Sequence, residues 1–216
     1  MKQLLCPSMM CADFGNLRKE IGDLDRAGVD IYHCDIMDGQ FVPNMTMGIN
    51  DVKTIRACTD TLVDCHLMIE NPGEKVDWFL DMGVDLLYIH PESERYVVKT
   101  LSHIKSRGKL AGLAINPDTS IETVRELLPL ADYILVMTVS PGFAGQAFLD
   151  LTRKKIATLL QMRREYSYKI VIDGACSPEI IKEFTRLGVD GFVLGTSALF
   201  NKKEEYSTLI ERLRSL

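Results

Sequence analysis

Apolar residues along this chain alternate between two rhythms. Near-continuous apolar runs at residues 4–8, 31–37, 62–68, 85–90, 109–116, 133–138, 169–173 and 191–195 read as strands, most of them too apolar for a sheet with one face in water. Between them, apolar residues recur three or four apart, as expected of helices packing one face on a core. These sets are Leu17, Ile21 and Leu24; Val76, Phe79 and Leu80; Val97, Leu101 and Ile104; Val124, Leu127 and Leu128. They continue with Ile156, Leu159 and Leu160; Ile180, Ile181, Phe184 and Leu187; Tyr206, Leu209, Ile210 and Leu213. Residues 45–58 give the weakest helical pattern.

The joints repeat as well. Ala27-Gly28-Val29-Asp30, Met82-Gly83-Val84-Asp85 and Leu187-Gly188-Val189-Asp190 each end a helical pattern and lead into a strand. Leu130-Ala131-Asp132-Tyr133 keeps the order without the glycine. Glycine there stops the helix, and aspartate precedes the strand. Strict alternation of strand and helix over 216 residues predicts one (β/α)8 barrel domain spanning 1–216, with an open doubly wound sheet as the alternative. No GxGxxG follows the first strand, which weakens a dinucleotide-binding reading.

Composition narrows the partners. At 46% hydrophobic content the chain can bury a sizeable core, and its net charge of -5 argues against a nucleic-acid surface. No apolar run is long enough to cross a bilayer, and Leu4-Leu5-Cys6-Pro7 is not a signal peptide, so a cytoplasmic protein without membrane attachment is expected. The six cysteines form no CxxC pair and lie mostly in apolar segments, which fits reduced packing residues.

The chemistry gathers where the strands end. His33-Cys34-Asp35 and Asp64-Cys65-His66 each place an imidazole and a carboxylate two positions apart, on one face of a strand. Ile170-Val171-Ile172-Asp173-Gly174 ends a third run with a carboxylate. Ser8, His90, Asn116, Thr138 and Gly195 fall at the same ends, where barrel active sites are built. Such a cluster can hold a divalent metal and leave two carboxylates to move protons. The glycine-bearing turns Pro141-Gly142-Phe143-Ala144-Gly145-Gln146, Asp173-Gly174-Ala175 and Gly195-Thr196-Ser197 could bind an anion through backbone amides without net positive charge.

These segments carry a resemblance. PSMMCAD from Pro7, HCDIMDGQFVPN from His33, DCHLM from Asp64, VMTVSPGFAGQ from Val136, IDGACS from Ile172 and LGTSALF from Leu194 are similar, in order, to the ribulose-phosphate 3-epimerases and the related allulose-6-phosphate 3-epimerases. The resemblance implies a (β/α)8 barrel that inverts carbon 3 of a ketose phosphate with one divalent ion per subunit: zinc, iron(II), manganese or cobalt. It implies His33, Asp35, His66 and Asp173 as metal ligands, with Asp35 and Asp173 also the acid and base. Ser8, His66, Met37, Met68 and Met137 would contact substrate, although without the resemblance the methionines read first as core packing. Gly142, Phe143, Ala144, Gly145, Gly174, Ala175, Gly195, Thr196 and Ser197 would form the phosphate loops. A homo-oligomer, dimer or hexamer, is the family's habit.

Ala144, Ala175-Cys176 and Ile89-His90-Pro91-Glu92-Ser93 depart from the ribulose-phosphate pattern. They resemble the allulose-6-phosphate branch, so interconversion of D-allulose 6-phosphate and D-fructose 6-phosphate is expected, with D-ribulose 5-phosphate as the alternative substrate. A metal-free phosphosugar lyase or decarboxylase is a third reading, disfavoured because no lysine stands at the strand ends. His90 reads either as a site residue or as an ordinary loop histidine. Cys34 and Cys65 should face helices, and Trp78 should cover the barrel.

Overall fold

The structure, a computed structural model, describes residues 3–216. Its barrel strands are β1 (Leu4–Pro7), β2 (Ile31–Asp38), β3 (Leu62–Met68), β4 (Leu86–Ile89), β5 (Leu110–Ile115), β6 (Tyr133–Met137), β7 (Lys169–Asp173) and β8 (Gly191–Leu194). The helices are α1 (Leu17–Ala27), α2 (Ile49–Cys58), α3 (Val76–Leu80), α4 (Val97–Ser106), α5 (Ile121–Val124), α6 (Thr152–Met162), α7 (Pro178–Leu187) and α8 (Tyr206–Arg214). Each strand pairs in parallel with its neighbour from β2 round to β8, and β8 pairs with β1. A parallel bridge between Ser8 and His33 joins β1 to β2, which closes the ring and excludes the open sheet.

Alternation along the strands sorts two layers. Cys6, Ile31, Leu86, Tyr88, Ala114, Tyr133, Leu135, Val171 and Val193 form one buried cluster that fills the barrel. The residues between them, including Tyr32, Cys34, Val63, Cys65, Leu87 and Ile172, pack with the helices in a second cluster. His33, Asp35, Asp64, His66 and Asp173 occupy inward positions by the same two-residue period.

The repeated joint has a physical purpose at the end where the chain enters the strands. Gly28 and Gly188 take φ of 76° and 98°, ending α1 and α7 in a conformation a side chain would strain. The following aspartates then cap alternate strands. Asp30 Oδ2 accepts from Leu5 N at 2.9 Å, Asp85 Oδ2 from Val63 N at 3.1 Å, Asp132 Oδ2 from Ala111 N at 2.9 Å and Asp190 Oδ2 from Ile170 N at 2.8 Å. In return each aspartate donates its own N–H to a carbonyl of the strand it caps: Leu5, Val63, Ala111 and Ile170. A basic residue completes each unit: Arg214 on Asp30, Arg56 on Asp85, Lys105 on Asp132 and Arg163 on Asp190.

Three elements differ from the hydrophobic pattern. The weak helix over 45–58 begins only at Ile49, because Met45–Thr46 pairs antiparallel with the end of β2. After α5, Arg125–Leu130 tightens into a 3-10 turn containing Pro129, whose ring nitrogen has no hydrogen to donate. Trp78 is 55% exposed on α3, so Val76, Phe79 and Leu80 cover the barrel instead. All six cysteines are free, and among the described residues no helix is long and apolar enough to cross a membrane.

Candidate metal centre and active-site cleft

Parallel pairing of β2 with β3 sets His33 beside Asp64 and Asp35 beside His66. β7 brings Asp173 to the same point from the other side of β1 and β8. His33 Nε2 lies 3.3 Å from Asp35 Oδ1 and 3.8 Å from Asp173 Oδ2, and His66 Nδ1 lies 3.2 Å and 3.6 Å from the same two oxygens. One donor atom from each of the four residues falls within 4.8 Å of the other three. His33 Nε2 is buried and makes no hydrogen bond, an expensive state unless something at the centre of the cluster satisfies it. Two imidazoles and two carboxylates are a donor set suited to a divalent transition metal.

A second layer holds these groups. His33 Nδ1 makes an ion-pair contact with Asp64 Oδ1 at 2.7 Å. Ser8 donates its hydroxyl to Asp35 Oδ2 at 2.6 Å, and Thr46 Oγ1 donates to the Asp35 carbonyl at the same distance. His66 Nε2 lies 2.7 Å from His90 Nε2.

Burial and charge push the two carboxylates apart. For Asp35, burial favours the neutral form, but the His33 charge and the close contacts of the His33 and His66 rings outweigh it and hold the group well below the usual carboxylate range. Asp173 is pushed up to about 7, by burial first and then by the Asp35 charge. Burial lowers His66 to about 3, so its ring is neutral. Burial also works against charge on His33, yet Asp64 and then Asp35 raise it well above the ordinary histidine value.

Above the cluster opens a cleft of about 550 Å³, counted to the open solvent at its mouth. It is lined by Ser8, Asp35, Met37, Met68, Met137, Asp173 and the late loops, with Gly142, Phe143, Ala144, Gly145, Gly174, Ala175, Gly195, Thr196 and Ser197 all at its wall. His33 and His66 lie fully buried beneath it. Met37, Met68 and Met137 belong to the apolar core as well as to the cleft wall. No lysine or arginine lines the cleft among the described residues, so its polar groups are backbone amides, hydroxyls and carboxylates.

The turn after β7 is tightly built. Thr138 Oγ1 donates to the carbonyls of Asp173 and Gly174, and a methyl group at Gly174 would meet Val139 at 2.7 Å. Ala175 takes φ of 48°, so this position does require the left-handed conformation that its methyl disfavours. Ala144 carries no such strain.

Sequence reasoning left Asp64 without a role and His90 between two readings. Both were findable from the two-residue period that places Asp64, His66, Tyr88 and His90 inside the barrel. Glu92, three residues beyond β4 in an irregular segment, carried no such signal.

Residues 4–200 match the Ribulose-phosphate 3 epimerase family. The chain is 38% identical over 216 residues to a ribulose-phosphate 3-epimerase of Aquifex aeolicus, covering 99% of this chain and 96% of the relative. A ribulose-phosphate 3-epimerase of Methanocaldococcus jannaschii is 39% identical over 209 residues, covering 96% and 88%. In fold, the chain is similar to 3-hexulose-6-phosphate synthase from Salmonella typhimurium, with a TM-score of 0.72 at 17% identity over 100% of this chain and 97% of the other.

Proposed function

The chain belongs to the ribulose-phosphate 3-epimerase family, and from that membership we propose that it interconverts D-ribulose 5-phosphate and D-xylulose 5-phosphate by proton transfer between Asp35 and Asp173. The observation that carries the reading is the pair of carboxylates, Asp35 and Asp173, that face one cleft from different strands. Inverting a carbon beside a carbonyl requires removing a proton from one face and returning one to the other. Asp35 and Asp173 would serve as base and acid, with the roles exchanged in the reverse direction.

Each carboxylate divides its oxygens between two tasks. Asp35 Oδ1 and Asp173 Oδ2 face the imidazoles, which leaves Asp35 Oδ2, oriented by Ser8, and Asp173 Oδ1 for the substrate proton. His33, Asp35, His66 and Asp173 would hold a divalent cation, which would stabilise the negative charge that develops on the substrate oxygens as the proton leaves. The methionines at the cleft wall exclude water, which strengthens electrostatic interactions there. Backbone amides of the loops around Gly142, Gly174 and Gly195 would receive the phosphate.

The six-carbon preference expected from Ala144 and Ala175 has less support than the five-carbon one, since both curated relatives described above carry the ribulose-phosphate name. Turnover on D-ribulose 5-phosphate and D-allulose 6-phosphate, measured on one metal-loaded sample, decides between them. Faster turnover of the five-carbon sugar is expected, and the reverse order overturns the substrate assignment. In heavy water the product should carry deuterium at carbon 3. Activity that survives complete chelation would favour the lyase reading instead.

A further inference from the structure

The two imidazoles of the cluster are held from behind in different ways. His33 meets a carboxylate directly, whereas His66 meets a second imidazole, fully buried His90, at 2.7 Å. Two ring nitrogens at that separation share a single hydrogen, so one donates and the other accepts. Distance alone leaves the direction open. Glu92 decides it.

His90 Nδ1 faces Glu92 Oε2 at 3.4 Å, an ion-pair contact rather than a formed hydrogen bond. A carboxylate can only accept, so the hydrogen of His90 belongs on Nδ1 and its Nε2 carries the lone pair. His66 must then donate from Nε2, which leaves its Nδ1 lone pair aimed at Asp35 and Asp173. The opposite tautomers would set the His90 Nδ1 lone pair against the Glu92 charge inside the protein. Glu92 is itself anchored, because Oε1 accepts the Asn116 N–H at 3.2 Å and the Thr119 hydroxyl. The Phe41 ring packs on His90 with centroids 4.9 Å apart.

We infer that His90 and Glu92 are positioning residues whose chain of polar contacts presents His66 Nδ1 as a bare donor to a divalent cation. This rests on the reading of His33, Asp35, His66 and Asp173 as the cation's ligands. The chain runs from the loop after β5, through Glu92 and His90, to the floor of the cleft, and touches neither substrate nor cation.

The test uses zinc, histidine labelled with nitrogen-15, and three variants. The chain has four histidines, so their ring nitrogens can be assigned individually by NMR in the zinc-loaded protein. His66 should carry its hydrogen on Nε2 and His90 on Nδ1. In calorimetric zinc titrations of chelator-stripped protein, His90→Phe should weaken binding about 10- to 100-fold. His90→Gln, whose amide oxygen can accept from His66, should recover most of that loss. Glu92→Gln should weaken zinc about tenfold, because one amide oxygen then serves three donors.

A His90 hydrogen found on Nε2 in the wild-type protein, or wild-type zinc affinity in His90→Phe, overturns the relay alone. Wild-type protein that binds no zinc overturns the relay together with the metal reading. The NMR measurement is made on the unaltered protein, so misfolding of a variant cannot mask the outcome.

Discussion

The two ends of the barrel use aspartate to opposite purposes. At the entry end, Asp30, Asp85, Asp132 and Asp190 each cap a strand and meet a lysine or arginine. At the exit end, buried Asp35 and partly buried Asp173 converge on two imidazoles. The first arrangement satisfies every charge with groups of the protein. The second leaves His33 Nε2 without a partner and pushes Asp173 to about 7. The same residue type, at two ends of the same strands, thus serves cohesion in one place and reactivity in the other, and the difference lies in which partners surround it.

Removing a carboxylate from each end sharpens that contrast. Asp173→Asn should lower turnover about a thousandfold, as expected for loss of an acid or base. It should not destabilise the metal-free protein near neutral pH, because it removes a charge that burial already disfavours. Steady-state kinetics with thermal unfolding checks both, and near-normal turnover would refute the assignment of Asp173.

The pH response should separate the ends as well. In the metal-free protein Asp173 binds its proton more tightly when folded than when unfolded, so its contribution to stability falls as pH rises from the ordinary carboxylate range through about 7. Asp35 runs the other way, adding stability above that range and losing it in acid. A bound cation displaces the Asp173 proton. Zinc uptake should therefore release about one more proton at about pH 5.5 than at about pH 8.5, measured by calorimetry in buffers of different ionisation enthalpy. Equal release at both would show that Asp173 is not a ligand.

At the entry end, Asp190→Ala should cost about 2 kcal/mol in urea unfolding, since Ile170 N and Arg163 lose their shared partner. The turnover of the folded variant should be unchanged. A loss of turnover without a loss of stability would break the division between the ends. The smallest effect is expected at Ala175, where glycine would relieve the φ of 48° and raise stability by about 1 kcal/mol.

Much of this division is legible in the chain. The period of two along β2, β3 and β7 already placed His33, Asp35, His66 and Asp173 on inward positions at the exit end. The Gly-Val-Asp joints marked the entry end, although their capping of the preceding strand was not visible, because it depends on which strands become neighbours. The helix over 45–58 and the turn after α5 were blurred for local reasons, a two-residue strand in one and Pro129 in the other. Glu92 was out of reach of pattern reading. Its role arises from contacts with His90, Asn116 and Thr119 that only the closed ring brings together.

The most direct measurement is anomalous X-ray scattering at the zinc edge from crystals of the zinc-loaded protein. The account predicts one peak per chain within about 2.0–2.2 Å of His33 Nε2, Asp35 Oδ1, His66 Nδ1 and Asp173 Oδ2. A zinc ion bound elsewhere, with those four side chains left to one another, would contradict it.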